Sequence, residues 1–215
     1  MLERMVMLPD APVDGAPLIV LLHGRGSHMG DLATLRPHLP ANAIVVTMQA
    51  PFPGAAWGYG GGWAWYQFLG GTRPEPESFL AGQAALVETL RALPGELPVT
   101  PGARILGGFS QGATSALACA LRNRELADGV VMFSGFLADH PGVDVRSAAG
   151  LPVFWSHGML DQMISHNVGE SGRAALRGAG AAVMTQDFRG GHTIDGEGLR
   201  QAVEWMAMVQ PGGAE

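Results

Sequence analysis

The sequence predicts an α/β domain in which a mostly parallel central sheet carries helices on both faces, and three observations support this. Short apolar runs of strand length alternate with longer segments of helical period, which is the pattern of strands joined by helical crossovers. Several runs are apolar at every position, as strands buried on both faces must be. The 215 residues, 47% hydrophobic and 15% charged, suit one domain able to bury roughly 70% of its unfolded surface. No repeat, low-complexity linker or composition shift marks a second domain, so residues 1–215 read as one unit with its core over about 17–209.

The elements follow in chain order. Arg4-Met5-Val6-Met7-Leu8 reads as a first, outer strand. Leu18-Ile19-Val20-Leu21-Leu22 and Ala43-Ile44-Val45-Val46-Thr47 are unbroken apolar runs and read as central strands. Residues 51–76 differ: Trp57, Tyr59, Trp63, Trp65, Tyr66 and Phe68 are crowded among seven glycines, which predicts a long irregular segment of the kind that carries function. Glu77 to Leu93 spaces Phe79, Ala84, Leu86, Val87, Leu90 and Leu93 as a helix that ends before Pro94. Glu75 and Glu77 read as a solvated turn around Pro76. The strand Arg104 to Phe109 is followed by the helix Gln111 to Arg122, and further strands are expected at Gly129 to Phe133 and Pro152 to Trp155. Val168 to Arg177 and Leu199 to Val209 read as helices. Ala182 to Phe188, more mixed, reads as a strand nearer the edge, and the tail from Pro211 to Glu215 is expected to fray.

Composition removes whole classes of function. The 13 cations are all Arg, so no Schiff-base lysine, Ser-Lys dyad or phosphate-loop lysine exists. A net charge of −6 with singly scattered arginines argues against a nucleic-acid partner. Cys119 stands alone, which excludes an intramolecular disulfide and any multi-cysteine metal site, and points to a reducing compartment. Among Ala116, Leu117, Ala118, Ala120 and Leu121 it reads as a buried apolar thiol. No run approaches the ~18 apolar residues of a spanning helix, and the first residues, with Glu3 and Arg4, lack a signal-peptide core. A cytoplasmic protein without a stable membrane anchor is expected. Seven histidines show no H-x-x-x-H pair or comparable ligand spacing, so neither a metal nor another cofactor is expected.

Gly108-Phe109-Ser110-Gln111-Gly112 is a G-x-S-x-G between an apolar strand and an apolar helix. A sharp strand-to-helix turn there exposes a serine hydroxyl above the sheet, and the flanking glycines let the backbone pass without a Cβ clash. Serine becomes nucleophilic when a base takes its proton and a third group orients that base. In such a topology the acid and then the histidine should follow, each after a later strand. Ser156-His157-Gly158-Met159-Leu160-Asp161 follows one strand and Arg189-Gly190-Gly191-His192 the next, which makes Asp161 the candidate acid and His192 the candidate base. His157 reads as a turn-stabilising residue, and His28, His38, His140 and His166 as solvated ones. Asp139, Asp187 and Asp195 are rival acids, of which Asp187 and Asp195 read as surface carboxylates. For the oxyanion, the backbone N–H of Gln111 lies at a helix N-terminus. That of Arg25, in the loop Leu22-His23-Gly24-Arg25-Gly26-Ser27, is the candidate second donor.

Leu22-His23-Gly24-x-Gly26, Gly108 to Gly112, His157-Gly158-x-x-Asp161 and Gly191-His192-Thr193-Ile194 together resemble the phospholipase/carboxylesterase group of α/β-hydrolases, which includes acyl-protein thioesterases. The resemblance implies an α/β-hydrolase domain with a triad of Ser110, Asp161 and His192 and an oxyanion hole from Arg25 and Gln111, and the length leaves only short loops and no large cap. Ala64-Trp65-Tyr66 resembles the family segment near the acyl pocket, while Arg25 stands where the family commonly has Leu. The expected activity is that of a serine carboxylesterase with an open apolar groove lined in part by Trp63, Trp65, Tyr66 and Phe68. Its expected partner is a small-molecule ester or thioester. A thioesterase or lysophospholipase would use the same triad, a silent hydrolase-fold binding protein would show a broken one, and a metal-dependent hydrolase would need a ligand cluster. The Trp-rich segment is a candidate homodimer patch if exposed, and the Arg25 side chain is a candidate contact for an anionic substrate.

Overall fold

The computed structural model describes residues 1–212; residues 213–215, where most of the expected frayed tail falls, lie outside the described residues. Seven strands form one sheet: β1 (Arg4–Met7), β2 (Leu18–Leu22), β3 (Ile44–Met48), β6 (Arg104–Phe109), β7 (Gly129–Phe133), β8 (Pro152–Gly158) and β9 (Ala182–Phe188). Their order is β1-β3-β2-β6-β7-β8-β9. Only β1 is antiparallel to its neighbour; every other pair is parallel. The short strands β4 (Phe52–Pro53) and β5 (Trp63–Ala64) make a separate ribbon inside the aromatic segment, giving local order to a stretch expected to be irregular.

Helices α1 (Met29–Ala33), α2 (Pro76–Ala92), α3 (Gln111–Arg122), α4 (His166–Gly178) and α5 (Gly196–Met206) cover both faces. The pleat of β2 decides which residue faces which layer, since successive side chains point to opposite faces. Leu18, Val20 and Leu22 join a core with Phe79 and Leu86 of α2, Leu117 of α3 and Leu176 of α4. Ile19 and Leu21 join the opposite core with Leu32 of α1 and Leu199, Ala202 and Trp205 of α5. Every residue of β2, β3 and β7 is buried, as unbroken apolar runs require.

Local differences have local causes. Helix α2 begins at Pro76, because Pro suits the first helical turn and the Glu75 carboxylate caps it, accepting from the N–H groups of Glu77 at 3.0 Å and Ser78 at 2.8 Å. Glu77 is exposed as expected, but instead of forming a turn the two glutamates cap and begin this helix. Strand β8 continues past Trp155 to Gly158, pairing His157 with Asp187 and Gly158 with Phe188, so His157 sits within a strand and is fully buried. Cys119 is fully buried, and burial pushes its thiol up to about 12. No helix among the described residues is long and apolar enough to cross a membrane.

Candidate active site

At the C-terminal end of β6 the chain turns directly into α3 through Ser110, whose backbone has φ 54° and ψ −119°. Left-handed φ is costly for a residue with a Cβ, and here the surroundings enforce it. The Ser110 N–H donates to the Phe133 carbonyl at 2.8 Å. A Cβ on Gly108 or Gly112 would run into the Leu22 carbonyl of the adjacent strand. Both glycines of the motif are therefore close-approach positions, and the serine takes up the strain.

The acid and base loops are joined to each other. Met159 N–H donates to Phe188 O and Leu160 N–H to Gly190 O, each at 2.9 Å. A Cβ on Gly158 would collide with the carbonyls of Gly190 and Gly191, so glycine here lets the two loops touch. The contact brings Asp161 and His192, 31 residues apart, within 2.7 Å, Oδ2 to Nδ1. On its other side His192 Nε2 is 2.9 Å from Ser110 Oγ. An ionised carboxylate only accepts, so Nδ1 carries the ring proton and Nε2 is left to accept from the serine hydroxyl. The Asp161 side chain is fully buried, and its Oδ1 accepts from the N–H groups of Met163 at 2.8 Å and Ile164 at 2.9 Å. The His192 ring also rests on Phe109, with centroids 4.7 Å apart.

His157 lies behind the acid. Its Nδ1 accepts from the Trp155 indole N–H at 3.4 Å, so Nε2–H donates to Ile164 O at 2.8 Å. Burial lowers its pKa, against the opposing pull of Asp161, whose Oδ2 lies 3.5 Å from Nε2. It thus steadies the residue whose N–H binds Asp161.

The first loop is held as firmly. Gly26 N–H donates to Trp63 O and Trp63 N–H to Ser27 O, both at 2.8 Å, and Gly26 has φ +79°. His23 accepts the Ala50 N–H on Nε2 at 3.1 Å, which leaves Nδ1–H to donate to Gly24 O at 2.8 Å. Burial lowers the His23 pKa from its ordinary 6.5 to about 4. Among the described residues no protein acceptor takes the N–H of Arg25 or of Gln111. Both residues line a cavity beside Ser110 and His192.

That cavity is about 50 Å³, walled by Tyr66, Phe68, Phe136, Met163 and Ile164. Of the aromatics expected around the groove, Tyr66 and Phe68 bound it and two do not. Trp65 is packed in the core with its indole N–H donating to His23 O at 2.8 Å, and Trp63 belongs to β5. Sequence patterning missed Phe136, Met163 and Ile164, because nothing local signals which loop residues face a cavity. It also missed the Gln111 side chain, whose Oε1 accepts from Trp65 N–H at 2.9 Å and whose Nε2 donates to Tyr66 O at 2.8 Å. This amide fastens the aromatic segment to the start of α3.

Two other features lie away from the serine. A larger cavity, about 740 Å³, opens near Leu18, Arg104 and Pro152 at the N-terminal ends of their strands. Parallel α/β sheets bind substrates at the carboxyl ends, so the smaller cavity is the relevant one. His166, Glu170 and Asp187 bring ligand-type atoms within 4.8 Å of one another. The buried Arg173 guanidinium already bonds to Glu170 and, at 2.8 Å, to Asp187, while His166 lies 3.1 Å from Asp187. This is an ion-pair cluster with its own cation. Asp195, another rival acid, caps α5 by accepting from Gly198 N–H at 3.0 Å, and Asp139 is exposed.

The family model described as Phospholipase/Carboxylesterase matches residues 5–210. The chain belongs to the phospholipase/carboxylesterase family. Among relatives of this family, Esterase YpfH of Escherichia coli (strain K12) is 27% identical over 213 residues, which cover 96% of this chain and 88% of that protein. A probable carboxylesterase of Oryza sativa subsp. japonica is 33% identical over 103 residues, covering 46% of this chain and 39% of that protein. An Arabidopsis thaliana relative is matched over the same 39% of its length, so the match spans well under half of these two proteins. The crystal structure of esterase PE8 superposes with a TM-score of 0.79 at 28% identity, covering 97% of this chain and 99% of that one. Zea mays acyl-protein thioesterase 2 shares this fold at a TM-score of 0.78 and 22% identity, with 96% of this chain and 98% of that one covered.

Proposed function

We propose that the protein is a serine carboxylesterase that cleaves short-chain esters through an acyl-enzyme on Ser110. The observation that carries this reading is the continuous hydrogen-bonded relay from Ser110 Oγ through His192 to Asp161, at 2.9 and 2.7 Å. The esterase and carboxylesterase names of its relatives support it.

Ser110 Oγ attacks the ester carbonyl carbon while His192 Nε2 takes the hydroxyl proton. The imidazolium so formed is stabilised by Asp161, which stays ionised and keeps the ring in its Nδ1–H tautomer. The oxyanion of the tetrahedral intermediate is received by the free N–H groups of Arg25 and Gln111. The Gln111 donor lies at the N-terminus of α3, where the helix dipole favours negative charge. Collapse breaks the bond to the leaving alcohol, which takes the proton from Nε2. Water then repeats the sequence on the acyl-enzyme, releasing the acid and restoring Ser110. The cavity beside Ser110 is small, about 50 Å³, which suits a short acyl chain.

The test is intact-protein mass after exposure to a fluorophosphonate, for the native protein and Ser110→Ala, followed by a panel of esters and thioesters of increasing chain length. One adduct on the native protein and none on the variant, with rates greatest for two- to four-carbon esters, is expected. Failure of the native protein to label would remove the esterase reading and favour a silent binding protein.

A further inference from the structure

Arg25 supplies more than a backbone N–H. Its guanidinium carbon lies 4.6 Å from the centre of the Tyr59 ring and 5.5 Å from that of Phe68, close enough for both rings to attract the cation. The rings themselves are fixed. Tyr59 hydroxyl accepts the Phe68 N–H at 2.8 Å, and Tyr59 N–H donates to Gly54 O at 2.9 Å. The Tyr59 carbonyl lies 2.7 Å from where a Cβ on Gly26 would stand, so the Tyr59 turn rests directly on the Arg25 loop. Arg25 is therefore held in place by its surroundings before any substrate arrives.

What it is held for follows from its unused bonding capacity. Arg104 donates to both oxygens of Asp128, and Arg173 to Glu170 and Asp187. Arg25 has no carboxylate within ion-pairing distance and no hydrogen-bond acceptor among the described residues, although its guanidinium offers five donors. Aromatic faces hold a guanidinium without using its N–H groups. The cavity that Arg25 shares with Ser110 contains no carboxylate: its other walls are Tyr66, Phe68, Phe136, Met163 and Ile164, with Gln111 and His192. Apolar walls lower the local dielectric and strengthen attraction to an anion. Asp161 is fully buried behind His192 and does not line the cavity.

The cavity that touches both Ser110 and Arg25 is small, about 50 Å³, so an anion paired with Arg25 sits close to the scissile carbonyl. We propose that Arg25 is the specificity-determining side chain of this site, selecting half-esters of short dicarboxylic acids by pairing their free carboxylate. This rests on the esterase reading above and names its substrate class.

The experiment compares monobenzyl succinate with benzyl succinamate, which differ only in carboxylate against neutral carboxamide, by following benzyl alcohol release. The native protein, Arg25→Met and Arg25→Lys are each labelled with a fluorophosphonate to count activated serines. The native protein is expected to favour the carboxylate ester in kcat/KM. That ratio should fall about 10- to 100-fold in Arg25→Met, the loss expected of a charge-assisted hydrogen bond, and be partly kept in Arg25→Lys. It should also shrink as salt is raised. An unchanged ratio in labelled Arg25→Met, or a native preference for the carboxamide, overturns the proposal. Absence of both labelling and turnover in the native protein would overturn the esterase reading first, and this proposal with it.

Discussion

Replacing His23 by glutamine should remove a pH-dependent part of the protein's stability. His23 is 1% exposed, donates from Nδ1 to Gly24 O, and accepts the Ala50 N–H on Nε2. Protonation would set an Nε2–H against the Ala50 N–H, and burial alone already disfavours the cation, so the folded pKa falls from 6.5 to about 4. In the unfolded chain the ring titrates near 6.5. Between these values the unfolded state binds more protons, so this contribution is fully present above 6.5 and is lost as pH falls towards 4. At about 1.36 kcal/mol per pH unit, the whole window is worth roughly 3 kcal/mol, of which about 2 kcal/mol is lost by pH 5. The carboxylates held low by ion pairs, such as Asp128 beside Arg104 and Asp187 beside Arg173, act below this window. A glutamine amide at this position can still accept the Ala50 N–H and does not titrate. Urea unfolding followed by Trp fluorescence at pH 7.5 and pH 5 should show the native protein losing about 2 kcal/mol more than His23→Gln. In thermal scans the same difference is about 4–8 °C for a chain of this size. Equal losses in the two proteins would refute the idea that a buried neutral His23 holds the Arg25 loop.

Two further outcomes are expected. Asp161→Asn keeps the size of the acid but removes the charge that orients His192 Nδ1–H at 2.7 Å, so kcat on any ester substrate should fall on the order of 10⁴-fold with little change in melting temperature; a loss below tenfold would count against Asp161 as the acid. Gln111→Ala leaves the Trp65 N–H and Tyr66 carbonyl, bonded at 2.9 and 2.8 Å in the native protein, buried without their partners. At about 1–3 kcal/mol per orphaned group, a loss of about 2–6 kcal/mol in urea unfolding is expected, and a loss under about 1 kcal/mol would show that the segment is held in some other way.

Much of this protein follows from its amino-acid sequence because the relevant physics is short-ranged. Apolar runs at Leu18–Leu22 and Gly129–Phe133 become central strands, since only strands buried on both faces hide every residue of such a run. The order of Ser110, Asp161 and His192, each just past a strand, places all three at one end of a parallel sheet before any contact is known. The glycines around Ser110 and at Gly158 signal close backbone approach for the same local reason. What only the tertiary structure decided depends on groups distant in the chain. Gln111 binds residues 45 and 46 positions away, His23 reaches Ala50, and Arg25 lies against Tyr59 and Phe68. Trp65 is in the core while Phe136, Met163 and Ile164 wall the cavity. A periodic pattern fixes which face of an element is apolar. Which buried polar group finds which partner is settled only when separate loops pack together at the end of the sheet, because an unpartnered group there would carry the full cost of losing water.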